Sequence, residues 1–388
     1  MKTPSLPWHF ITGEYPPDRG GVADYTALVA SGLVQHGCDV HVWSTGDATE
    51  PFREPGGVTV NRAVGRFGWS GLLRLNRELN RCPEPRTLCI QYVPHAFGWK
   101  AMNGAFIAWV VGRRLFSGDE IVVMFHEVLF PWVRRPVHHN IIAFITRIMA
   151  AVLARTAHRL FVSIPAWAPL VRAVSGLRKV TITTLPIPST IPASANPDES
   201  AVIRQQMLTP SIRLVVGHFG TYGSLITLML GPVVTELLQK RADVMVVLLG
   251  SNGDRFRSEM KRDRPEWTNR IVATGELTAE QVAIHLQACD LVIQPYPDGA
   301  SFRRTSLMAA LANGIPVVTT TGALSEALWS SGVVPAVPVE QIALFTNIVF
   351  PLLDDPVARN RVGEDGLQLY HQQFALERTI AVLIGPVP

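Results

Sequence analysis

Short apolar runs of strand length alternate with longer helix-like stretches along almost the whole chain. WHFIT (8–12) precedes a Pro/Gly loop and the helix-like ADYTALVASGLVQHG (23–37), and CDVHVWST (38–45) then reads as a second strand. TLCIQYV (87–93), EIVVMFH (120–126) and RLFVSI (159–164) continue the series. Short buried strands separated by helices are the pattern of a parallel sheet covered on both faces. A Pro/Ser-rich passage, TLPIPSTIPASANPDES (184–200), interrupts the alternation and reads as a linker. The pattern then restarts with RLVVGHFGTYG (213–223), the helix-like LMLGPVVTELLQKR, and the strands DVMVVLLG (243–250), RIVATG (270–275), DLVIQPY (290–296) and PVVTT (316–320).

This predicts an α/β chain of two Rossmann-like, doubly wound domains. The first spans 1–185, a linker 186–200, and the second 201–370. Residues 341–388 look mainly helical, with 371–388 expected to return to the first domain. Two such domains facing each other would bring the carboxyl ends of both sheets to a central cleft, where open α/β sheets hold ligands. The length of 388 residues agrees with two domains, and 47% hydrophobic against 17% charged residues is a globular composition.

Charge adds a partner. Residues 1–185 carry 20 Lys+Arg against 12 Asp+Glu, a net of +8, and the remainder carries 15 against 19, a net of −4. A basic first half suits an anionic partner such as a membrane surface or a phosphorylated substrate. Nucleic acid is not expected, because no recognition motif interleaves aromatic and basic residues. The most apolar run, IIAFITRIMAAVLA (141–154), has 14 residues including Arg147, short of the roughly 20 that span a bilayer. It reads first as a buried helix and second as an interfacial one. The cysteines at 38, 82, 89 and 289 form no CxxC or zinc spacing, and MKTPSLPWHFIT lacks a signal peptide's apolar core. A cytoplasmic enzyme, with possible attachment at the inner face of a membrane, is the expectation.

Three loops carry candidate chemistry. EYPPDRGGVADY (14–25) follows the first strand, where Gly20 and Gly21 permit close backbone approach to a phosphate at the next helix. Asp24 either orients an acceptor hydroxyl or stabilises the first helical turn. GHFGTYG (217–223) stands in the equivalent place of the second half, with Gly220, Thr221 and Tyr222 set to meet phosphate or sugar oxygens. The third loop, PYPDGASFRRTS (295–306), ends a strand with Asp298 and Gly299 and continues through Ala300 and Ser301. Arg303 and Arg304 supply planar forks for phosphate, and Thr305 and Ser306 stand at a predicted helix start. Taken singly, each loop also fits an ordinary strand-to-helix turn or a capped surface pair.

His126 ends the EIVVMFH strand and is expected to face the cleft, bonding a sugar hydroxyl or taking a proton; a packed histidine is the alternative. His95 is a weaker candidate for the acceptor, and His138 and His139 read as loop residues without an acidic cluster to complete a metal site. No DxD, HExxH, GxSxG or Walker loop occurs, so no metal or other cofactor is expected.

With these motifs assembled, the chain resembles the group 1 (family 4-like) glycosyltransferases of the GT-B fold. The resemblance runs through EYPPDRGGVADYTALVASGLVQHGCDVHVWST, MFHE and RLFVSI, then ATGELTAEQVAIHLQACDLVIQPYPDG and ALANGIPVVTT. It implies a nucleoside diphosphate sugar bound mainly by the second domain, with Gly275 and Glu276 among the donor contacts. It also implies a glycan or lipid-linked acceptor held by the first domain, and metal-independent transfer, usually with retention. Polysaccharide or glycolipid assembly is the setting that the resemblance suggests.

Two departures stand out. The second Glu of the family's E-x7-E element falls on Ala309, and its first acid is matched by Asp298 in a loop three residues longer, or by Ser301 if eight residues are counted back. The family's Arg and Lys after the glycine loop are missing from GHFGTYGSLITLM. Arg303 and Arg304 are the expected replacement clamp, with His126 and Asp298 expected around the transferred sugar. A non-catalytic protein of the same fold that binds a sugar nucleotide or glycan is the alternative. An epimerase or phosphorylase is a third, without identifiable residues for either.

Overall fold

The computed structural model describes residues 6–48, 50–62, 64–98, 101–135, 139–177, 179–193 and 196–385. The chain divides into two compact units, Met1–Pro186 with Leu376–Pro388, and Ile187–Ala375.

The first unit is built on β1 (Trp8–Thr12), β2 (Val40–Trp43), β3 (Phe52–Arg53), β4 (Thr59–Asn61), β5 (Thr87–Tyr92), β6 (Glu120–Phe125), β7 (Arg159–Val162) and β8 (Ile182–Thr184). Among the described residues these form one sheet in the order β3-β4-β2-β1-β5-β6-β7-β8. Only the β3–β4 pair is antiparallel. Its helices are α1 (Gly21–Gln35), α2 (Trp69–Leu79), α3 (Gly104–Phe116), α4 (His139–Thr156) and α5 (Trp167–Ser175). The strand order reverses at β1 and β5, so the crevice of this sheet opens beyond the carboxyl ends of those two strands. At the edge of the core, Asp119 is fully buried between Arg86 and Arg113, at 2.6 Å from Arg86 Nε and 2.6 Å from Arg113 Nε. Buried charges persist where such pairing satisfies them.

The second unit has β9 (Leu214–Phe219), β10 (Val244–Leu249), β11 (Ile271–Gly275), β12 (Leu291–Gln294), β13 (Val317–Thr321) and β14 (Ala336–Pro338), all parallel, in the order β11-β10-β9-β12-β13-β14. Its helices are α6 (Pro197–Met207), α7 (Ser224–Lys240), α8 (Gly253–Asp263), α9 (Ala279–Gln287), α10 (Thr305–Ala312), α11 (Phe345–Asp354) and α12 (Pro356–Gln373). The reversal here lies between β9 and β12. Both units are therefore doubly wound, as the alternation of apolar runs predicts.

The last helix, α13 (Leu376–Ile384), belongs to the first unit. Ile380 lies against Gly32 of α1, and Arg159 donates to the carbonyls of Leu383 and Val382, both at 2.7 Å. That guanidinium sits where the negative end of the helix dipole favours a cation.

Three boundaries differ from the sequence reading. The Pro/Ser passage is only partly a connector, because Asn196 caps α6 by accepting from Asp198 N at 3.1 Å. The second unit runs on to Ala375, so the crossing segment begins at 376 rather than 371. His139 opens α4 instead of lying in a loop, while His138 is outside the described residues.

The apolar run of α4 is also not simply buried. Ala143, Thr146, Met149, Ala150 and Leu153 face inward, whereas Ile141, Phe144 and Ile148 are 60%, 56% and 47% exposed. Among the described residues no helix is long and apolar enough to cross a membrane.

Candidate functional site

In the second unit the candidate residues collect beyond the strand ends at the switch point. β9 runs into Gly220–Gly223 and then α7, whose N-terminus carries no side-chain cap. β12 runs into Pro295–Arg304 and then α10, likewise without a side-chain cap. Gln294 Nε2 donates to Phe219 O at 3.0 Å and ties the ends of these strands together. Gly250 N donates to Gly275 O at 3.2 Å, and the backbone of Gly250 lies tight against the Gly220 carbonyl. Gly275 thus joins the same row of loops, and Glu276 follows it at the exposed edge.

The 295–304 loop is laced to β13 and the turn after it. Thr320 Oγ1 accepts from Tyr296 N and donates to Tyr296 O, each at 2.8 Å. Ala300 N donates to Thr320 O at 2.7 Å, and Ser325 Oγ donates to Ala300 O at 2.7 Å. Gly299 has φ +84°, and a Cβ there would lie 2.2 Å from both Gly322 N and Ser325 Oγ, so only glycine fits. Phe302 N donates to Glu326 Oε1 at 3.3 Å, while Trp329 Nε1 donates to Glu326 Oε2 at 2.6 Å. Burial raises the Glu326 pKa, with these donors pulling the other way.

Within this loop Asp298 is bracketed by cations. Arg303 Nη2 donates to Asp298 Oδ2 at 3.2 Å, and Arg304 Nη2 donates to Asp298 Oδ1. Arg304 also lies 4.5 Å over the ring of Tyr296, whose hydroxyl is 2.8 Å from Ser306 Oγ. The two arginines and Asp298 each keep about a quarter of their side chain exposed. Thr305 and Ser306 open α10 as anticipated, although Ser306 is engaged by Tyr296.

In the first unit the loops after β1 and β5 meet, with Gly13 packed against the backbone of Ala96. The phosphate cradle expected at Gly20 and Gly21 is filled by the chain itself. Glu14 Oε1 accepts from Ala23 N at 3.2 Å, and a Cβ on Gly20 would lie 2.2 Å from that carboxylate. A carboxylate at a helix N-terminus satisfies the same free amides and dipole that a phosphate would. Desolvation outweighs those bonds and raises the Glu14 pKa. Asp24, in the first turn of α1, and His95, after β5, are both exposed, with His95 edge-on to Phe130 at 4.4 Å.

Four further expectations are corrected. His126 does not present its ring to solvent: it is 7% exposed and edge-on to Tyr25 at 4.9 Å. Gln91 Nε2 donates to Cys89 Sγ at 3.2 Å, which turns Gln91 Oε1 toward His126 Nε2 at 2.8 Å. The ring proton therefore sits on Nε2, and burial lowers the His126 pKa to about 3. Tyr222 does not offer its hydroxyl to a ligand, because φ +55° turns the ring inward, where it donates to the carbonyls of His218 at 2.9 Å and Leu249 at 3.2 Å. Ala300 and Ser301 are fully buried and contribute no exposed side chain. Asp298 is a bridged counter-ion rather than an unengaged carboxylate.

The residues missed from sequence are Glu14, Gln91 and Glu326. A glutamate six residues before a Gly-Gly helix start was the available signal for Glu14. Nothing local signalled the other two. Among the described residues no group of three His, Cys, Asp or Glu side chains is placed to hold a metal ion.

Residues 214–355 match the family model described as Glycosyl transferases group 1. This segment is similar to the group 1 glycosyltransferases. The matched segment begins at β9 and contains the whole Asp298–Ser306 loop. No curated protein sequence matches the chain. Solved structures give the fold of the whole chain as GT-B. Sucrose-phosphate synthase from Thermosynechococcus elongatus is 15% identical, with 97% of each chain covered and a TM-score of 0.70. HepE from Anabaena, solved with UDP and glucose, is 16% identical, with 97% of this chain and 98% of that one covered and a TM-score of 0.69. WaaG, a glycosyltransferase involved in lipopolysaccharide biosynthesis, is 14% identical over 98% and 100%, with a TM-score of 0.63.

Proposed function

We propose that this chain is a glycosyltransferase that moves a sugar from a nucleoside diphosphate donor, held by the second unit, to an alcohol on a glycan or lipid-linked acceptor taken by the first. The observation that carries the donor assignment is the Arg303–Arg304 pair on the switch-point loop, beside the uncapped start of α10. In the reaction the bond from the sugar C1 to the diphosphate oxygen breaks as the acceptor oxygen bonds to C1. The acceptor proton leaves with the departing phosphate. The developing diphosphate charge needs fixed positive groups, and two guanidiniums with helix-start amides are such groups. The reading is metal-independent because arginines neutralise that charge. It is retaining because a front-face route requires no protein nucleophile, in keeping with the engagement of Asp298 and the burial of His126. His126 is assigned no proton transfer, since its Nε2–H is committed to Gln91.

HepE is described in complex with UDP and glucose, which supports a uridine nucleotide as the first donor to test. WaaG is described as involved in lipopolysaccharide biosynthesis, which supports glycolipid or polysaccharide assembly as the setting. A contact with an anionic membrane surface is supported by the composition of α3, α4 and α5, which contain no acidic residue. The three helices carry Arg114, Arg155 and Arg172, and they expose Phe116, Ile141, Phe144 and Ile148. One observation favours the non-catalytic alternative: Ala309 is fully buried in the core and supplies no carboxylate for a donor ribose. Donor hydrolysis or transfer with purified protein and a lipid-linked acceptor decides between them. Released diphosphate supports the enzyme, and nucleotide binding without any turnover supports the binding protein.

A further inference from the structure

We infer that Asp298 is a positioning residue which sets the two arginines for the donor diphosphate and has no role as a base. The inference rests on the donor reading above and adds a specific device to it. Arg303 and Arg304 are adjacent in sequence, and two neighbouring guanidiniums repel each other unless an anion lies between them. Asp298 is that anion, with one carboxylate oxygen on each guanidinium. Its own position is fixed from behind, since Leu324 N donates to Asp298 O at 3.0 Å and Gly299 is wedged against Gly322 and Ser325. The placement of the arginines is thereby inherited from β13 and the turn that follows it. On the other side, the Tyr296 ring holds the Arg304 guanidinium at 4.5 Å, and Tyr296 is itself tied to Ser306 at the start of α10.

An arginine presents five N–H donors, and the Asp298 contacts use one from each guanidinium. The carboxylate keeps the two forks in register beside the start of α10. This arrangement explains how a loop three residues longer than the family pattern replaces the cations missing from α7. A carboxylate fixed between two cations is also poorly suited to take a proton, because both contacts favour its ionised form. Preorganisation of this kind lowers the ordering cost of binding, so the loss of Asp298 is expected to weaken binding even though it removes a negative charge.

The test is calorimetry of UDP, GDP, ADP and dTDP on the full chain and its variants. Asp298→Asn should weaken the nucleotide that binds wild type about 10-fold, and Asp298→Glu should recover part of the loss. In an Arg303→Ala/Arg304→Ala background, Asp298→Asn should have no further effect, which a merely structural role would not produce. With a turnover assay, Asp298→Asn should raise the donor KM while leaving the acid limb of the kcat profile in place. Unchanged or tighter binding by Asp298→Asn, or an equal loss in the arginine-free background, overturns the inference. So does a kcat loss that removes the acid limb, which would make Asp298 a base. If the arginine variants bind like wild type, or wild type binds none of the four nucleotides, the donor reading itself fails and this inference goes with it.

Discussion

Acidification should destabilise the first unit more than the second, because buried neutral histidines are unequally shared. His9 and His126 lie in the first unit and His218 in the second, and they are 0%, 7% and 1% exposed. Burial lowers each pKa to about 3, with His41, Arg86 and Arg113 adding to the effect at His9. In the unfolded chain each histidine protonates near 6.5. Below that pH the unfolded state binds more protons, so stability falls as the pH is lowered. The loss runs from the unfolded value down to about 3. From pH 7.5 to 5.5 each histidine contributes a loss of about 1.4 kcal/mol, so roughly 3 kcal/mol for the first unit and half that for the second. Glu14 and Glu326 act in the opposite sense, since burial raises their pKa and favours the folded state on acidification. Urea unfolding at the two pH values, followed by tryptophan fluorescence, reads the effect. His218→Phe should flatten the response of the second unit, as His218 Nδ1 has no hydrogen-bond partner among the described residues. A midpoint that is unchanged or higher at pH 5.5 would refute the argument.

Gly299→Ala should cost about 2 kcal/mol or more, through both the positive φ and the collision with Gly322 and Ser325, and a normal urea midpoint would contradict the geometry. Tyr296→Phe removes the bond to Ser306 and should cost about 1 kcal/mol while loosening Arg304, which calorimetric unfolding and nucleotide affinity both report. Phe144→Ser with Ile148→Ser should reduce binding to vesicles containing phosphatidylglycerol about 30-fold, given about 2 kcal/mol of transferable apolar surface; equal binding of both proteins would dismiss α4 as the contact.

The doubly wound fold was legible because buried parallel strands leave uninterrupted apolar runs, and glycine loops mark their carboxyl ends. The position of the loops was legible for the same reason. Side-chain direction within them was not. At Tyr222 a positive φ on a non-glycine residue turns the ring into the core, and no propensity announces that. At Gly20 the glycines signal close approach correctly, but sequence cannot say whether the approaching anion is a ligand phosphate or Glu14. His126 sits at a strand end in both readings, yet its partner Gln91 comes from the neighbouring strand β5, a pairing set by sheet order rather than by local sequence. The linker was overextended because Pro and Ser also begin helices, as Asn196-Pro197 does for α6.

The central claim is that Arg303 and Arg304 hold the diphosphate of a sugar nucleotide. Its most direct test is the affinity of wild type, Arg303→Ala and Arg304→Ala for the best-binding nucleoside diphosphate, measured by calorimetry at one fixed ionic strength. A charge-assisted contact contributes about 1.5–3 kcal/mol, so each substitution should weaken binding by roughly 10- to 100-fold. Wild-type affinity in both variants would contradict the account.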